Sequence, residues 1–158
     1  MSHPSPDRAV RRIRVQAEPF DSAAEQAALV GDNARIGALV SFVGLMRDLN
    51  AGLGVARMRL EHYPGMTEKA LEAIAEEAAE RWPLEGLSIV HRVGDLEPGD
   101  PIVFVGVVSR HRGDAFRACE FLIDYLKTRA PFWKKEVTEE GERWVEARAT
   151  DRAAAERW

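Results

Sequence analysis

The stretch IVFVGVVSRHRGD, Ile102 to Asp114, decides how the rest of the chain is read. Its first seven residues are an almost unbroken apolar run, Ile102 to Val108. An alternating run would mark a strand with one wet face; a continuous one marks a central strand covered on both faces. Gly113-Asp114 then opens a helix predicted to reach about Thr128. At about 100° per residue, Ala115, Ala118, Cys119, Leu122 and Leu126 share one buried arc. Arg129 falls on the same arc, where it is expected to cap the helix end or pair with a carboxylate. Lys127 lies at the arc's edge beside Phe116 and Ile123, where a lysine keeps its stem dry and its head in a cleft. Pro131 stops the helix from continuing past Ala130.

Outward from this unit, strands and helices alternate. Arg12 to Gln16 reads as a short strand. Asp21-Ser22 begins a helix to about Val30, capped by one of those two residues and ended by Gly31-Asp32-Asn33. Ile36 to Val43 is an apolar strand, and Gly44 to Gly54 is a loop that carries Arg47. Val55 to His62 alternates and reads as a half-buried strand. After the turn at Pro64-Gly65, with Thr67 the expected cap, a helix runs to about Trp82. Met66, Ala70, Ile74, Ala78 and Trp82 form its stripe, and Pro83 ends it. Leu87 to Val93 is a strand, and Glu97 to Asp100 is a turn. Phe132 to Val137 reads as a strand with Trp133 and Val137 as core contacts. Glu142 to Arg148 alternates with Trp144 inward. Thr150 to Trp158 reads as a weak helix or a tail. The fold class is α+β, or mixed α/β: one domain with a mixed sheet flanked by helices. Residues 1–10 are expected to be a disordered arm, 11–150 the domain, and 151–158 a C-terminal tail.

Composition narrows the function classes. The chain has 158 residues, which fits one domain, and 46% are hydrophobic, enough for a real core. The formal net charge of −4 argues against a general nucleic-acid binder. Positive charge is therefore local, and points to a small anion or an acidic partner segment. Cys119 is the lone cysteine, so no internal disulfide forms, and it reads as a buried structural thiol. His3, His62, His91 and His111 show no metal-site spacing, so no metal is expected; no cofactor is expected either. MSHPSPDRAVRR lacks the apolar run of a signal peptide, and no apolar stretch approaches membrane-spanning length. The expectation is a cytoplasmic protein with no membrane partner.

Two basic clusters carry the chemistry. DYLKTRAPFWKKE, Asp124 to Glu136, sets Lys127, Arg129, Lys134 and Lys135 among Tyr125, Phe132 and Trp133. A lysine in partly apolar surroundings is one whose pKa is readily lowered; lysines beside aromatics also snorkel with no chemistry at all. Lys134 and Lys135 occupy opposite faces of a strand, so only one enters a given pocket. Core placement of Trp133 and Val137 would leave Lys134 with Phe132 on the other face, although periodicity does not decide it. Ser109-Arg110-His111-Arg112 ends the central strand at a helix N-terminus, which suits an anion. The same residues also read as a solvated loop. Arg47 is a second anion contact or a plain surface arginine. Phosphate-loop, dinucleotide and serine-elbow motifs are absent.

Several long stretches in register are far more specific than these clusters. LEHYPGMTEKAL (Leu60 to Leu71), HRVGDLEPGD (His91 to Asp100), VGVVSRHRGDAF (Val105 to Phe116), DYLKTRAPFWKKE and RWVEAR (Arg143 to Arg148) closely resemble the family of large, catalytic molybdopterin synthase subunits. The resemblance spans roughly Ile36 to Arg148. It implies an α/β hammerhead-type fold and a central homodimer. Each large subunit would bind one small ubiquitin-like sulfur-carrier subunit, giving a heterotetramer. The small subunit's C-terminal Gly-Gly thiocarboxylate would enter a pocket and pass sulfur to cyclic pyranopterin monophosphate, forming molybdopterin. By motif, Lys127 matches the family's essential lysine and Lys134 its second active-site lysine. His111, Arg112 and Arg47 match substrate contacts. Arg148 matches an arginine reaching the neighbouring subunit's site. Lys135 and Glu136 join the substrate-binding candidates. Two other functions remain open: a non-catalytic module that grips an acidic or extended C-terminal tail, and a phosphate-ester hydrolase using His111.

Overall fold

The computed structural model describes residues 9–50, 52–145 and 149–158. The central apolar run becomes β7 (Pro101–Ser109), flanked by β5 (Gly86–Arg92) and β2 (Ala38–Leu45). β5 pairs on its far side with β1 (Val10–Gln16), so the first sheet runs β1-β5-β7-β2. β1 and β5 are parallel and the other pairs antiparallel, so this sheet is mixed.

Helices cover both faces of this sheet. Val103, Val105 and Val107 face a core built from α2 (Met66–Arg81) and α3 (Arg112–Arg129). Phe104 and Gly106 lie on the opposite face, beneath α1 (Ser22–Val30). A Cβ on Gly106 would stand 2.9 Å from the Phe104 ring and 3.0 Å from Leu29, so glycine is what lets α1 lie close. Asp21 caps α1, its carboxylate accepting from the Ala23 and Ala24 amides. Thr67 is not the cap of α2; Gly65 is, at φ 86°. The buried Thr67 hydroxyl instead accepts from the Tyr63 amide and donates to the Pro131 carbonyl. That contact ties the start of α2 to the residue before β8.

A second sheet, not expected as a separate layer, contains β3 (Leu49–Asn50), β4 (Leu53–His62), β8 (Phe132–Thr138) and β9 (Gly141–Val145), in that order. A further strand, β6 (Gly94–Leu96), also pairs with β4. The sheet is antiparallel throughout, and the small cluster of Met46, Val55, Met58, Leu60 and Leu96 underlies it. Its outer face is open, which corrects two expectations. Trp133 and Trp144 point outward and remain 45% and 57% exposed. Alternation places them correctly on one face, but the face is the solvent side. Arg129 is likewise exposed, lying over the Tyr125 ring and pairing with Glu77.

The chain end folds as α4 (Ala149–Ala155), which packs on α3. Trp158 sits edge-on against Trp82 and Phe121 and donates from its indole to Asp124. The expected arm lies outside the described residues through position 8, and Val10 already belongs to β1.

Candidate functional site

A cavity of about 370 Å³ opens where the two sheets meet. Period two along β8 puts Phe132, Lys134 and Glu136 on its wall. Lys135, one residue on, lies on the opposite face, paired with Glu142 at 2.8 Å and 5.5 Å above the Trp144 ring. The last turn of α3 brings Lys127 to the cavity beside Ile123 and Leu126. The segment leaving β2 adds Arg47 and Asn50, and the first sheet supplies Val103, Val105 and His91.

The structure thus gathers Arg47, Lys127, Lys134 and Glu136 around one space with aliphatic and aromatic walls. Glu136 is buried and committed. It accepts from Arg143 Nε and Nη2 at 3.2 and 3.0 Å, and from Asn50 Nδ2 at 2.8 Å. Arg143 also donates to the Asn50 carbonyl. Together these bonds clamp the Arg47–Asn50 segment onto β8 and β9.

His111 and Arg112 are not part of this gathering. They are exposed at the opposite end of α3, and Arg112 is separated from Lys127 by roughly 22 Å of helical rise. Their junction is well built: the Ser109 hydroxyl donates to the Pro83 carbonyl and accepts from the His111 amide. Arg110 and Arg35 both pair with Glu85. Burial pushes the Glu85 carboxyl up, but hydrogen bonds from Asn33, Arg35 and Arg110 outweigh it and hold the group below the usual carboxylate range. Arg148 lies outside the described residues. Burial, with Glu120 adding, pushes the Cys119 thiol up to about 12, so it is not a nucleophile.

His91 was missed by reasoning from the sequence. It is 4% exposed at the end of a strand buried throughout, and it lines the cavity. Its signal was visible in LSIVHR, where a polar ring ends an apolar run. Asn50, Arg143 and Asp151, which also reaches the cavity from α4, carried no comparable signal. Among the described residues no group of three His, Cys, Asp or Glu side chains is placed to hold a metal.

Residues 15–129 match the family described as MoaE protein. The chain belongs to the MoaE family. The molybdopterin synthase catalytic subunit of Pseudomonas aeruginosa is 64% identical over 146 residues, covering 92% of this chain and 97% of that one. The solved structure of the molybdopterin biosynthesis MoaE protein from Burkholderia ambifaria superposes with a TM-score of 0.82 at 62% identity, over 94% of this chain and 98% of that one. A similar fold at lower identity occurs in a protein-protein complex of subunits 1 and 2 of molybdopterin-converting factor from Helicobacter pylori. It has a TM-score of 0.65 at 21% identity, and covers 89% and 92% of the two chains. Among the described residues no helix is long and apolar enough to cross a membrane.

Proposed function

We propose that this chain is the catalytic subunit of a molybdopterin synthase. It moves sulfur from the C-terminal thiocarboxylate of a small ubiquitin-like subunit onto cyclic pyranopterin monophosphate, in the cytoplasm. One observation carries the reading: Lys127 and Lys134, from a helix and a strand of different layers, face one cavity together with Arg47. Both reactants are anionic, and a cleft lined by grouped cations attracts them.

In this reading Arg47 binds and orients the substrate phosphate. The thiocarboxylate sulfur attacks the pterin side chain, a carbon–sulfur bond forms, and an oxygen leaving group departs. Water then cleaves the acyl–sulfur bond, leaving sulfur on the pterin and a carboxylate on the carrier. Lys127 protonates the departing oxygen, and Lys134 stabilises the charge that develops beside it. Because α3 holds His111 and Arg112 far from Lys127 of the same copy, their role as phosphate contacts requires a second copy of the chain. That requirement fits a homodimer carrying two small subunits.

The test is reconstitution with the thiocarboxylated small subunit and cyclic pyranopterin monophosphate, following dithiolene product by mass spectrometry. Lys127 is exposed, so Lys127→Ala should fold normally. Its turnover should fall by about 10²- to 10⁴-fold. A folded Lys127→Ala protein with near-normal turnover overturns the assignment.

A further inference from the structure

Cation donors dominate the cavity: Lys127, Lys134 and Arg47 present only N–H groups. Of the acceptor side chains, Glu136 is committed to Arg143 and Asn50, and Asp151 is the carboxylate that α4 brings to the wall. A ligand recognised by the cations alone would be selected for negative charge and little else. One further side chain changes that. His91 Nδ1 lies 2.7 Å from the backbone carbonyl of Arg92. A carbonyl only accepts, so Nδ1 must carry the proton, which leaves a lone pair on Nε2 whenever the ring is neutral. The imidazole is stacked on Phe132, with centroids 3.8 Å apart and planes 16° from parallel. Tautomer and ring orientation are therefore both fixed.

We propose that His91 is a specificity-determining residue of this cavity, whose Nε2 accepts a hydrogen bond from an N–H or O–H of the bound pterin. The assignment rests on the function proposed above. Burial pushes the ring's pKa down to about 4, against the Arg92 carbonyl, which favours the charged form. Lys134 on β8, Lys127 on α3 and His62 on β4 depress it further. The ring is thus neutral near pH 7, and it offers an acceptor where every cation offers a donor. A phosphate or thiocarboxylate, which carries no N–H, gains nothing from it. A pterin, whose ring and side chain carry N–H and O–H groups, does.

Two variants separate this role from mere packing. His91→Asn keeps a donor for the Arg92 carbonyl but does not reach the Nε2 position; His91→Gln carries an amide oxygen near that position. Binding of cyclic pyranopterin monophosphate would be measured by calorimetry, turnover with the thiocarboxylated small subunit, and stability by urea denaturation. His91→Asn should weaken pterin binding and raise KM about tenfold, the scale of one lost hydrogen bond, while kcat changes far less. His91→Gln should recover most of the affinity, whatever the two urea midpoints are. Wild-type affinity in His91→Asn, or equal losses in both variants, overturns the proposal. If the wild-type protein binds the pterin yet forms no product, sulfur transfer fails and the binding comparison still judges His91. If the wild-type protein does not bind the pterin, both fall.

Discussion

The two sheets of this molecule obey different rules. The first, β1-β5-β7-β2, is covered on both faces at its centre, and every residue of β5 is buried. The second, built on β4 and β8, has one face on the cavity and the other in solvent. A strand of the first kind cannot carry an unpaired ammonium without a large desolvation cost, and the polar ring it does carry at the cavity, His91, is neutral. A strand of the second kind can supply cations, because one side of it stays hydrated. The cavity lies at their junction, where a rigid dry wall meets a strand and a helix end that bring lysines to it.

The sharpest test of that difference is stability. Phe104 is fully buried beneath α1, so Phe104→Ala should cost about 3–5 kcal/mol. Trp144 is larger but lies on the open face, and Trp144→Ala in the chain alone should cost about 0.5–1 kcal/mol, the value of an exposed cation–π contact. Urea denaturation of both variants checks it. Equal losses would mean that the second sheet's outer face is as covered as the first sheet's.

Legibility in the sequence followed the same division. Ile102 to Val108 announced a doubly covered strand because continuous apolarity has one physical meaning, and α1 and α3 were equally plain. The second sheet was harder. Alternation in FWKKE and ERWVE places side chains on two faces but does not say which face is inside, and the large apolar surface of Trp133 and Trp144 pointed the wrong way. The site shows the same limit. Lys127 and Lys134 stood out by residue type, whereas their meeting in one cavity, with His111 and Arg112 left at the far end of α3, depends on layer packing that no local pattern encodes. The resemblance named the residues; the structure separated those that one copy can bring together from those it cannot.

Next in size is the clamp between the layers. Glu136→Ala removes the carboxylate that accepts from both Arg143 and Asn50, a loss of about 1–3 kcal/mol. Because the clamp holds the Arg47 segment, KM for the pterin should also rise, by up to about 10²-fold for a misplacement of about 1 Å. Unchanged KM in a folded variant would show that the segment is positioned by something else.

A smaller effect belongs to the first sheet's margin. Glu85 has a folded pKa below its ordinary value. Its contribution to stability is therefore complete above the ordinary carboxylate pKa of about 4.3 and disappears as pH falls through the lowered folded value. Glu85→Gln should be less stable than the wild type near pH 7, and the gap should close in acid. Urea midpoints across pH 2 to 7, on the order of that titration, would measure it. A gap that widens on acidification would reverse the sign and show that the Asn33, Arg35 and Arg110 hydrogen bonds do not prevail over burial.

The smallest effect sharpens the comparison most closely, because it concerns adjacent residues of one strand. Lys134 faces the cavity; Lys135 faces solvent, with Glu142 and Trp144 for company. An exposed pair of this kind contributes about 0–1 kcal/mol. Lys135→Ala should therefore barely alter stability, and should change turnover by no more than about 3-fold, on the order of 0.7 kcal/mol of barrier. Lys134→Ala should lose about 10²-fold or more. Since the family motif presents the two lysines side by side, residue type cannot tell them apart; the two-residue period of the strand can. A tenfold loss in Lys135→Ala, with affinity for the small subunit unchanged, would bring the outer face into the chemistry and dissolve the distinction between the strand's two sides.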